Sequence, residues 1–327
     1  MVQSLRLKIA IANYPHTAPI LDGRIPIRGV LPEFVKVDPI IAAFRRMVRN
    51  LEFDICEMAP TTYLVARAYG SPFTALPIFF MRRFHHGGLM CREDANIRTP
   101  KDLEGKKVGV RAYTVTTGVW TRGILMNEYG LDSSKVTWVV DDEEHVTGLP
   151  LPSNVVHAPD GKSLVSLMEA GEIQAGFGAR AGIGREGAPK SGWEEIRKPA
   201  PQNYHDLFAD AGELEAAWFR RTGIYPMHGH LVVKNEVLRA NPWLPKALFD
   251  AFSAAKAPYL KRLASGEANG PEDNRYRKLT ELVGADPLPY GFRANRISIQ
   301  AMIDYAHQQG LIPKRVAPEE VFIDPEA

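Results

Sequence analysis

A carboxylate-binding pocket is predicted from the segment Tyr113-Thr114-Val115-Thr116-Thr117 and the residues before it. Val108 and Val110 alternate with smaller or polar residues, as in a short strand, and the threonines follow where the next helix begins. A helix start leaves backbone N–H groups free and carries partial positive charge, so it suits a carboxylate. Arg111 lies just upstream and adds a fixed cation with bidentate geometry. The predicted anion clamp therefore contains Arg111, Tyr113, Thr114, Thr116 and Thr117.

Two further polar loops are expected at the carboxyl ends of strands. A strand over Leu5–Ala12 runs into Tyr14-Pro15-His16-Thr17, and a strand over Phe53–Glu57 precedes a helix that starts at Pro60-Thr61-Thr62. In open α/β sheets, ligands collect at this edge. The candidate site residues of these loops, which are predicted to face one cleft, are Tyr14, His16, Glu57 and Thr62.

The length of 327 residues is large for one hydrophobic core and favours two α/β lobes. A second short strand is predicted over Val35–Val37, and a helix over Thr117–Tyr129. The chain is expected to cross between lobes near Ala95–Pro100 and to return before a strand at Leu231–Val233. Lobe I is thus predicted to comprise 1–96 and 227–327, and lobe II 97–226. An interrupted lobe of this kind implies a hinge.

Composition argues against several classes of partner. The net charge of +2 and the pairing of basic residues, without long runs, argue against a nucleic-acid surface. No stretch approaches a membrane span, so no membrane partner is expected. Cys56 and Cys91 are too few for a disulfide framework and are not spaced as a metal motif. Met1 leads into an alternating strand without an apolar leader, which predicts a cytoplasmic protein.

Several strings of residues are shared with a known enzyme family. They are Phe53-Asp54-Ile55 with Glu57, Leu76-Pro77-Ile78-Phe79 with Arg82, Phe84 and His86, Tyr113-Thr114 with Thr116, Val119-Trp120 and Arg122-Gly123, Gly161 to Ala175 with Arg180, and Pro289-Tyr290-Gly291 with Asn295-Arg296. On these strings the chain resembles the 4,5-dihydroxyphthalate decarboxylase family, from about Phe53 to about Gly310. Two positions depart from the family pattern. Pro15-His16 replaces an acidic-basic pair, and Pro226-Met227-His228-Gly229-His230 is one residue longer than the family's Pro-Ile-Met-His.

The resemblance implies a fold and an activity. The implied fold is the α/β, two-lobed type II periplasmic-binding-protein-like fold, in which each lobe is a mixed sheet flanked by helices and the ligand cleft lies between the lobes. The implied activity is cofactor-independent removal of one carboxylate from a 4,5-dihydroxyphthalate-like aromatic dicarboxylate, giving a dihydroxybenzoate and CO2. Family membership also implies a homo-oligomer.

This reaction needs a base near the ring hydroxyls, a proton donor near a ring carbon and a clamp for the second carboxylate. A histidine titrates near neutrality, so His86 and one of His228 or His230 are assigned to proton transfer. Glu57 is the candidate base, or else a cap or an ion-pair partner. The resemblance adds Arg82 and Arg180 to the clamp, and Trp120 is expected to form cleft wall or core.

Alternative interpretations remain open at this point. Each histidine has the alternative of being a packed or exposed residue with no chemical role. His228 and His230 lie two apart on a predicted strand, so both can point to one face, and Glu57 or His16 would complete a metal site. As a whole, the chain is also compatible with a transporter's solute-binding protein that closes on an anionic aromatic ligand, or with a ligand sensor, because fold alone does not separate these functions.

Overall fold

The computed structural model describes residues 4–178, 181–183 and 203–327. The chain divides into two compact units. The first unit comprises Met1–Arg83, Met227–Gln300 and Val316–Ala327, and the second comprises Phe84–Pro226 and Ala301–Arg315. The sequence-based bounds place the segments 84–96 and 301–315 with the first unit instead.

The first unit is built on a mixed sheet with the strand order β2-β1-β3-β11-β4. Its strands are β1 (Leu5–Ala10), β2 (Val30–Phe34), β3 (Ile55–Met58), β4 (Phe73–Arg82) and β11 (Met227–Lys234). β1 runs parallel to β2 and β3, whereas β11 is antiparallel to both β3 and β4. The strand that follows the chain's return to this unit therefore lies in the interior of the sheet, where β3 and β4 cover both its edges.

The second strand lies at Val30–Phe34, so the prediction of Val35–Val37 is wrong. β2 pairs with β1 alone, from Leu5 opposite Val30 to Ile9 opposite Phe34. Pro32 lies inside this strand, and a proline inside a run argues against a central strand because it lacks an N–H donor. An edge strand such as β2 tolerates a proline. The sequence around Pro32 therefore does not look like a strand, although this segment pairs with β1.

The helices of the first unit cover both faces of its sheet. They are α1 (Ala18–Leu21), α2 (Ile41–Asn50), α3 (Pro60–Ala68), α7 (Asn235–Ala240), α8 (Leu244–Ser265), α9 (Pro271–Val283), the first part of α10 (Phe292–Gln308) and α11 (Pro318–Val321). In α8, Leu244, Leu248 and Phe252 are buried at helical spacing and join the core cluster that contains Ile9 and Ile55. One face of the sheet is thus closed by α8.

The second unit is built on a mixed sheet with the order β10-β5-β9-β6-β7-β8. Its strands are β5 (Leu89–Arg92), β6 (Lys107–Gly109), β7 (Thr137–Val140), β8 (Val155–His157), β9 (Ala175–Phe177) and β10 (Tyr204–Asp206), and its helices are α4 (Thr116–Tyr129), α5 (Leu164–Glu169), α6 (Ala211–Thr222) and the last part of α10. β6 runs parallel to β7 and β9. The carboxyl ends of β6 and β7 therefore meet at one edge.

Helix α4 packs closely against the last part of α10. A Cβ atom on Gly123 would lie 2.1 Å from the ring of Tyr305, so only glycine allows this contact. The ring of Trp120, on the same helix, meets Tyr305 edge-on at 5.7 Å between centroids. In the part of the chain that the structure describes, no helix combines the length and apolar character needed to cross a bilayer.

Candidate functional site

The buried carboxyl group of Glu57 is the centre of a polar cluster in the first unit. Glu57 is the last residue but one of β3 and Tyr14 follows β1, and these parallel strands are neighbours, so their carboxyl ends meet at one edge. The Tyr14 hydroxyl donates to Oε1 of Glu57 at 2.7 Å, and the backbone N–H of Ala12 donates to Oε2 at 3.0 Å. The loop after β1 thus holds both carboxyl oxygens of a fully buried acid.

Burial raises the pKa of Glu57 from its ordinary value to about 7, and the hydrogen bonds from Tyr14 and Ala12 oppose this rise. The pKa of Tyr14 is raised well above its usual value because the hydroxyl is buried beside the Glu57 carboxyl. Near neutral pH the Glu57 carboxyl is therefore divided between its protonated and ionised forms. A carboxyl with such a pKa can both accept and return a proton without strong driving force in either direction.

His16 lies beside this pair in a stack of rings. Its imidazole stacks on Tyr14 at 5.3 Å between centroids and lies 5.8 Å from the ring of Tyr259. Burial, with the positive charge of Lys256 adding to it, lowers the pKa of His16 to about 3. His16 is therefore neutral at physiological pH, and it contributes ring surface and polar atoms to the cluster rather than charge.

The two histidines of β11 have different surroundings. His230 is fully buried within an aromatic pocket formed by Tyr63, Phe79 and Phe322, with ring centroids 5.1, 6.3 and 5.4 Å away. Burial lowers its pKa to about 3, and neither ring nitrogen has a hydrogen-bond partner among the described residues. Leu231, not His230, pairs with Glu57, so His230 and Glu57 point to opposite faces of the sheet. His230 is thus a packed core residue.

His228 instead lies at the polar end of the strand. A guanidinium nitrogen of the exposed Arg83 lies 3.3 Å from its Nδ1. A guanidinium group can only donate, so Nδ1 accepts and the proton of the neutral imidazole lies on Nε2. In a regular strand His228 and His230 would point to the same face. A β-bulge around Gly229 shifts the register between them, so the two side chains have different neighbours.

Arg82 joins two of the strings that carry the family resemblance. Its guanidinium group donates to Oδ1 of Asn295 and, at 3.3 Å, to the carbonyl of Pro289, and it lies 4.5 Å from the centre of the Phe79 ring. Asn295 in turn donates to the carbonyls of Pro289 and Gly291 at 3.0 and 2.7 Å. Arg82 is fully buried, and its contacts hold the side chain of Asn295 and the backbone at Pro289.

Two residues close to this backbone, Lys256 and Tyr290, were not among the site residues predicted from the sequence. Lys256, on α8, donates to Asp286 at 2.5 Å and to the carbonyl of Leu288 at 2.7 Å, and its ammonium group lies 3.9 Å above the Tyr290 ring. The Tyr290 hydroxyl is buried and lacks a hydrogen-bond partner within the described ranges. Burial raises the pKa of the Tyr290 hydroxyl well above its usual value, and the nearby charges of Asp286 and Glu57 add to this rise. The string Pro289-Tyr290-Gly291 was the only available signal.

In the second unit, the predicted anion clamp is occupied by a carboxylate of the chain itself. Oε1 of Glu144 accepts from the backbone N–H of Tyr113 at 2.6 Å, and both its oxygens lie 3.3 Å from the backbone nitrogen of Thr114. The Thr114 hydroxyl also donates to Oε2. Tyr113 and Thr114 follow β6 and Glu144 follows β7, whose carboxyl ends are adjacent. Two residues of the predicted clamp, Tyr113 and Thr114, therefore bind the carboxylate of Glu144 in this structure.

Arg111 does not contribute an uncompensated positive charge to this clamp. Its guanidinium group forms a buried ion pair with Asp142 at 3.2 Å, with side-chain exposures of 5% and 2%. A second buried cation, Arg122, donates to the carbonyl of Tyr113 at 2.5 Å and lies 3.9 Å from the centre of its ring. Arg122 belongs to the string Arg122-Gly123 that carries the family resemblance. Its place in a predicted helix did not indicate that its side chain is buried.

The other clamp residues lie at the start of α4. Thr116 and Thr117 form its first turn, Thr116 is buried, and the N–H of Val119 closes that turn on the carbonyl of Val115 at 3.0 Å. Thr62 is buried in the first turn of α3, which begins at Pro60. Arg180 lies outside the residues that the structure describes.

Comparison with known proteins agrees with this residue pattern. Over 333 aligned residues the chain is 34% identical to a protein named 4,5-dihydroxyphthalate decarboxylase from Comamonas testosteroni, across 98% of this chain and 97% of that protein. A protein of the same name from Pseudomonas putida is 38% identical over 190 residues, which are 55% of this chain and 73% of that protein. The chain belongs to the 4,5-dihydroxyphthalate decarboxylase family. The resemblance predicted from the sequence is confirmed.

The fold of this decarboxylase-family chain is that of periplasmic binding proteins. The periplasmic aliphatic sulphonate binding protein SsuA from Escherichia coli superposes with a TM-score of 0.54 at 12% identity, covering 99% of this chain and 92% of that chain. The alkanesulfonate-binding protein SsuA from Xanthomonas axonopodis pv. citri, bound to MOPS, gives 0.52 at 14%, covering 98% of each chain. The family "ABC transporter, phosphonate, periplasmic substrate-binding protein" matches residues 34–185. The predicted α/β fold, with two mixed sheets flanked by helices, is confirmed.

Within this member of the decarboxylase family, two residues of the predicted site have the surroundings of core residues. His86 lies among the rings of Tyr129, Phe208 and Trp218, at 6.3, 6.1 and 5.4 Å, and burial lowers its pKa to about 4. Its backbone N–H, not its ring, bonds to Glu215 at 3.1 Å. Trp120 is buried inside the second unit, which corresponds to the core position that was one of the two alternatives for this residue. Packing therefore accounts for both residues.

The alternative of a metal site is not supported by the geometry of these side chains. His230 points away from Glu57, and His228 contacts Arg83. Across 4–178, 181–183 and 203–327, no three His, Cys, Asp or Glu side chains lie close enough together to hold a metal ion. The two histidines and the glutamate thus belong to three different environments.

Proposed function

We propose that the protein is a decarboxylase that converts a hydroxylated aromatic dicarboxylate of the 4,5-dihydroxyphthalate type into a dihydroxybenzoate and CO2. The observation that carries this proposal is the 34% identity, over 98% of the chain, with a protein named 4,5-dihydroxyphthalate decarboxylase. The Glu57 carboxyl, with its pKa near 7, supplies the acid–base group that the chemistry requires.

The proposed reaction begins at the hydroxyl para to the departing carboxylate. Ionised Glu57 accepts the proton of that hydroxyl, and the electron density of the phenolate rises at the ring carbon that bears the carboxylate. A proton donor then adds a proton to that carbon. The bond to the carboxylate breaks, its electron pair restores the aromatic ring, CO2 leaves, and Glu57 returns its proton to the phenolate. The net change is loss of CO2 and gain of one proton.

Tyr14 sets the properties of the base in this scheme. Its hydroxyl bond to Oε1 and the Ala12 N–H bond to Oε2 hold the carboxyl in one orientation and stabilise its ionised form. Burial acts in the opposite direction and raises the pKa of Glu57, and the two hydrogen bonds limit this rise to about 7. A base whose pKa is close to the operating pH is the most effective one, and such groups contribute about 10²–10⁴-fold.

We assign proton donation at the ring carbon to His228. The donor is its imidazolium form; once that form has given up a proton, the neutral ring accepts the hydrogen bond of Arg83 at Nδ1 and regains a proton from solvent. His86 and His230 are enclosed by aromatic rings, and burial holds the pKa of each well below its usual value, which disfavours the charged donor form. Arg83 also places a positive charge beside His228, which favours binding of an anionic ring there.

The direct test is incubation of the purified protein with 4,5-dihydroxyphthalate, with release of CO2 and formation of the dihydroxybenzoate measured by mass spectrometry. Phthalate, which has no hydroxyl, is the control substrate and should not react. Glu57→Gln keeps the shape of the side chain but cannot accept the proton, and should reduce turnover by about 10²–10⁴-fold. Tight binding of the dihydroxy acid without any CO2 would favour the solute-binding alternative.

Three further properties are proposed. A homo-oligomeric assembly and activity without an organic cofactor are implied by the family resemblance, and a cytoplasmic location is the prediction made from the sequence. Light scattering coupled to gel filtration measures the subunit number, and fractionation of the native host measures the location. Exhaustive dialysis with and without a chelator, followed by the CO2 assay, measures any dependence of the activity on an organic cofactor or a metal ion.

A further inference from the structure

We infer that the Tyr113–Thr114 amides form a carboxylate-binding site which Glu144 fills in this structure, and which a carboxylate of the aromatic ligand fills in exchange. Glu144 is then an internal competitor that sets the affinity for the ligand. The chemical class of ligand rests on the proposed function, whereas the binding site itself rests on contacts within the second unit.

The donors converge on one carboxyl group. The Tyr113 N–H donates at 2.6 Å, the Thr114 N–H lies 3.3 Å from each oxygen, and the Thr114 hydroxyl bonds to Oε2. Successive backbone N–H groups with an adjacent hydroxyl are a general anion-binding arrangement. The presence of a carboxyl group among these donors shows directly that their spacing suits that group.

A buried positive charge lies behind these donors. Arg122 is fully buried, its guanidinium carbon lies 3.9 Å from the centre of the Tyr113 ring, and one of its nitrogens donates to the Tyr113 carbonyl. The remaining polar contact is to Gln309 at 2.7 Å, which is neutral, and the Nη1 nitrogen of Arg122 has no hydrogen-bond partner in the described part of the chain. A buried cation of this kind favours an anion nearby, whichever molecule supplies it.

Glu144 is attached in a way that allows it to leave. It lies in an irregular loop between β7 and β8, in the acidic run Asp141–Glu144, and is neither in a helix nor in a strand. Burial raises the pKa of Glu144, so its ionised form is not fully stabilised where it lies. Withdrawal of this loop residue would leave the same donors for an external carboxylate without any change in β6 or α4.

The test is titration calorimetry with phthalate, which has two carboxylates but no hydroxyl to support turnover. Wild type, Glu144→Ala, Glu144→Gln and Glu143→Gln are compared at constant ionic strength. Glu143 is the matched control because it is the exposed neighbour on the same loop. Glu144→Ala should bind phthalate about tenfold more tightly than wild type, the factor expected if Glu144 fills the site roughly nine-tenths of the time. Glu143→Gln should bind as wild type does.

Unchanged or weaker phthalate binding by a folded Glu144→Ala protein would overturn the inference. If that variant does not fold, Glu144→Gln gives the same decision, because it removes the charge and keeps the side-chain length. The double variant Glu144→Ala, Thr114→Ala should bind phthalate about fivefold more weakly than Glu144→Ala alone, since the hydroxyl donor of Thr114 is removed. Failure of the proposed decarboxylation shows instead in the CO2 assay, so the two failures are distinguished by different measurements.

Discussion

Gly229 lies directly against the carboxyl group of Glu57. A Cβ atom at this position would stand 3.1 Å from Oε1, the oxygen that accepts the hydrogen bond of Tyr14. Gly229 lies in the irregular part of β11, where the register of this strand against β4 shifts. The space that the buried carboxyl occupies therefore depends on the absence of a side chain on the neighbouring strand.

We predict that Gly229→Ala displaces the Glu57 carboxyl and weakens its bond to Tyr14. Overpacking of this kind costs about 1–3 kcal/mol of unfolding free energy, and turnover should fall more than substrate affinity. Gly212→Ala is the control, because a Cβ there meets nothing within 4 Å. Urea denaturation and steady-state kinetics measure both quantities, and equal behaviour of the two variants would contradict the proposed crowding.

A second prediction concerns the pH dependence of stability. The pKa of Glu57 is raised from 4.5 to about 7 in the folded protein, so the folded state binds more protons than the unfolded state between these pH values. Its contribution is constant below pH 4.5, declines as pH rises to about 7, and then levels off. The total decline is on the order of 3 kcal/mol.

This decline is measured as the difference in unfolding free energy between wild type and Glu57→Gln from pH 4 to pH 8. The glutamine variant lacks the titrating group but has the same shape. The unfolding free energy of wild type should fall relative to that of Glu57→Gln as pH rises from 4.5 to about 7, and the difference should then stay constant. A difference independent of pH would show that Glu57 has an ordinary pKa in the folded protein.

The two histidines of β11 should respond differently to substitution. His228→Asn removes the proposed donor and should reduce turnover by about 10²–10⁴-fold with little change in ligand affinity. His230→Leu replaces two unpartnered nitrogens with apolar atoms in an aromatic pocket, and should keep wild-type turnover. Single-turnover measurements with 4,5-dihydroxyphthalate distinguish the two variants. The reverse pattern would assign donation to His230.

Tyr290→Phe should stabilise the protein or leave its stability unchanged. The hydroxyl is buried without a partner among the described residues, so its removal eliminates an unsatisfied polar group and keeps the ring above which Lys256 lies. Tyr259→Phe is the contrast, because it removes a 2.7 Å bond to Asp273 and should cost about 1 kcal/mol.

The same pair of variants tests whether the Tyr290 hydroxyl bonds to the ligand. If it does, Tyr290→Phe narrows the difference in affinity between 4,5-dihydroxyphthalate and phthalate, whereas Tyr259→Phe leaves it as in wild type. Calorimetric titration of both acids into both variants gives the comparison.

Much of the architecture was predictable because hydrophobic periodicity is a local property. The strand that leads to Glu57, the helix that begins at Pro60 and the helix that ends at Tyr129 are present with small changes of bounds. The edge strand at Val30–Phe34 was misplaced, since its pairing with β1 is set by a distant segment. Fold membership was carried by strings such as Pro289-Tyr290-Gly291 rather than by periodicity.

By itself, the sequence determined the family, the α/β fold and the chemical types of residue available, because these depend on local patterns and matched strings. Only the tertiary structure decided which of those residues meet. It places Tyr14 on Glu57, Glu144 on the predicted clamp, and His230 in an aromatic pocket. The reason is that strand order and a single bulge fix which side chains share a face, and neither is encoded in any short stretch of the chain.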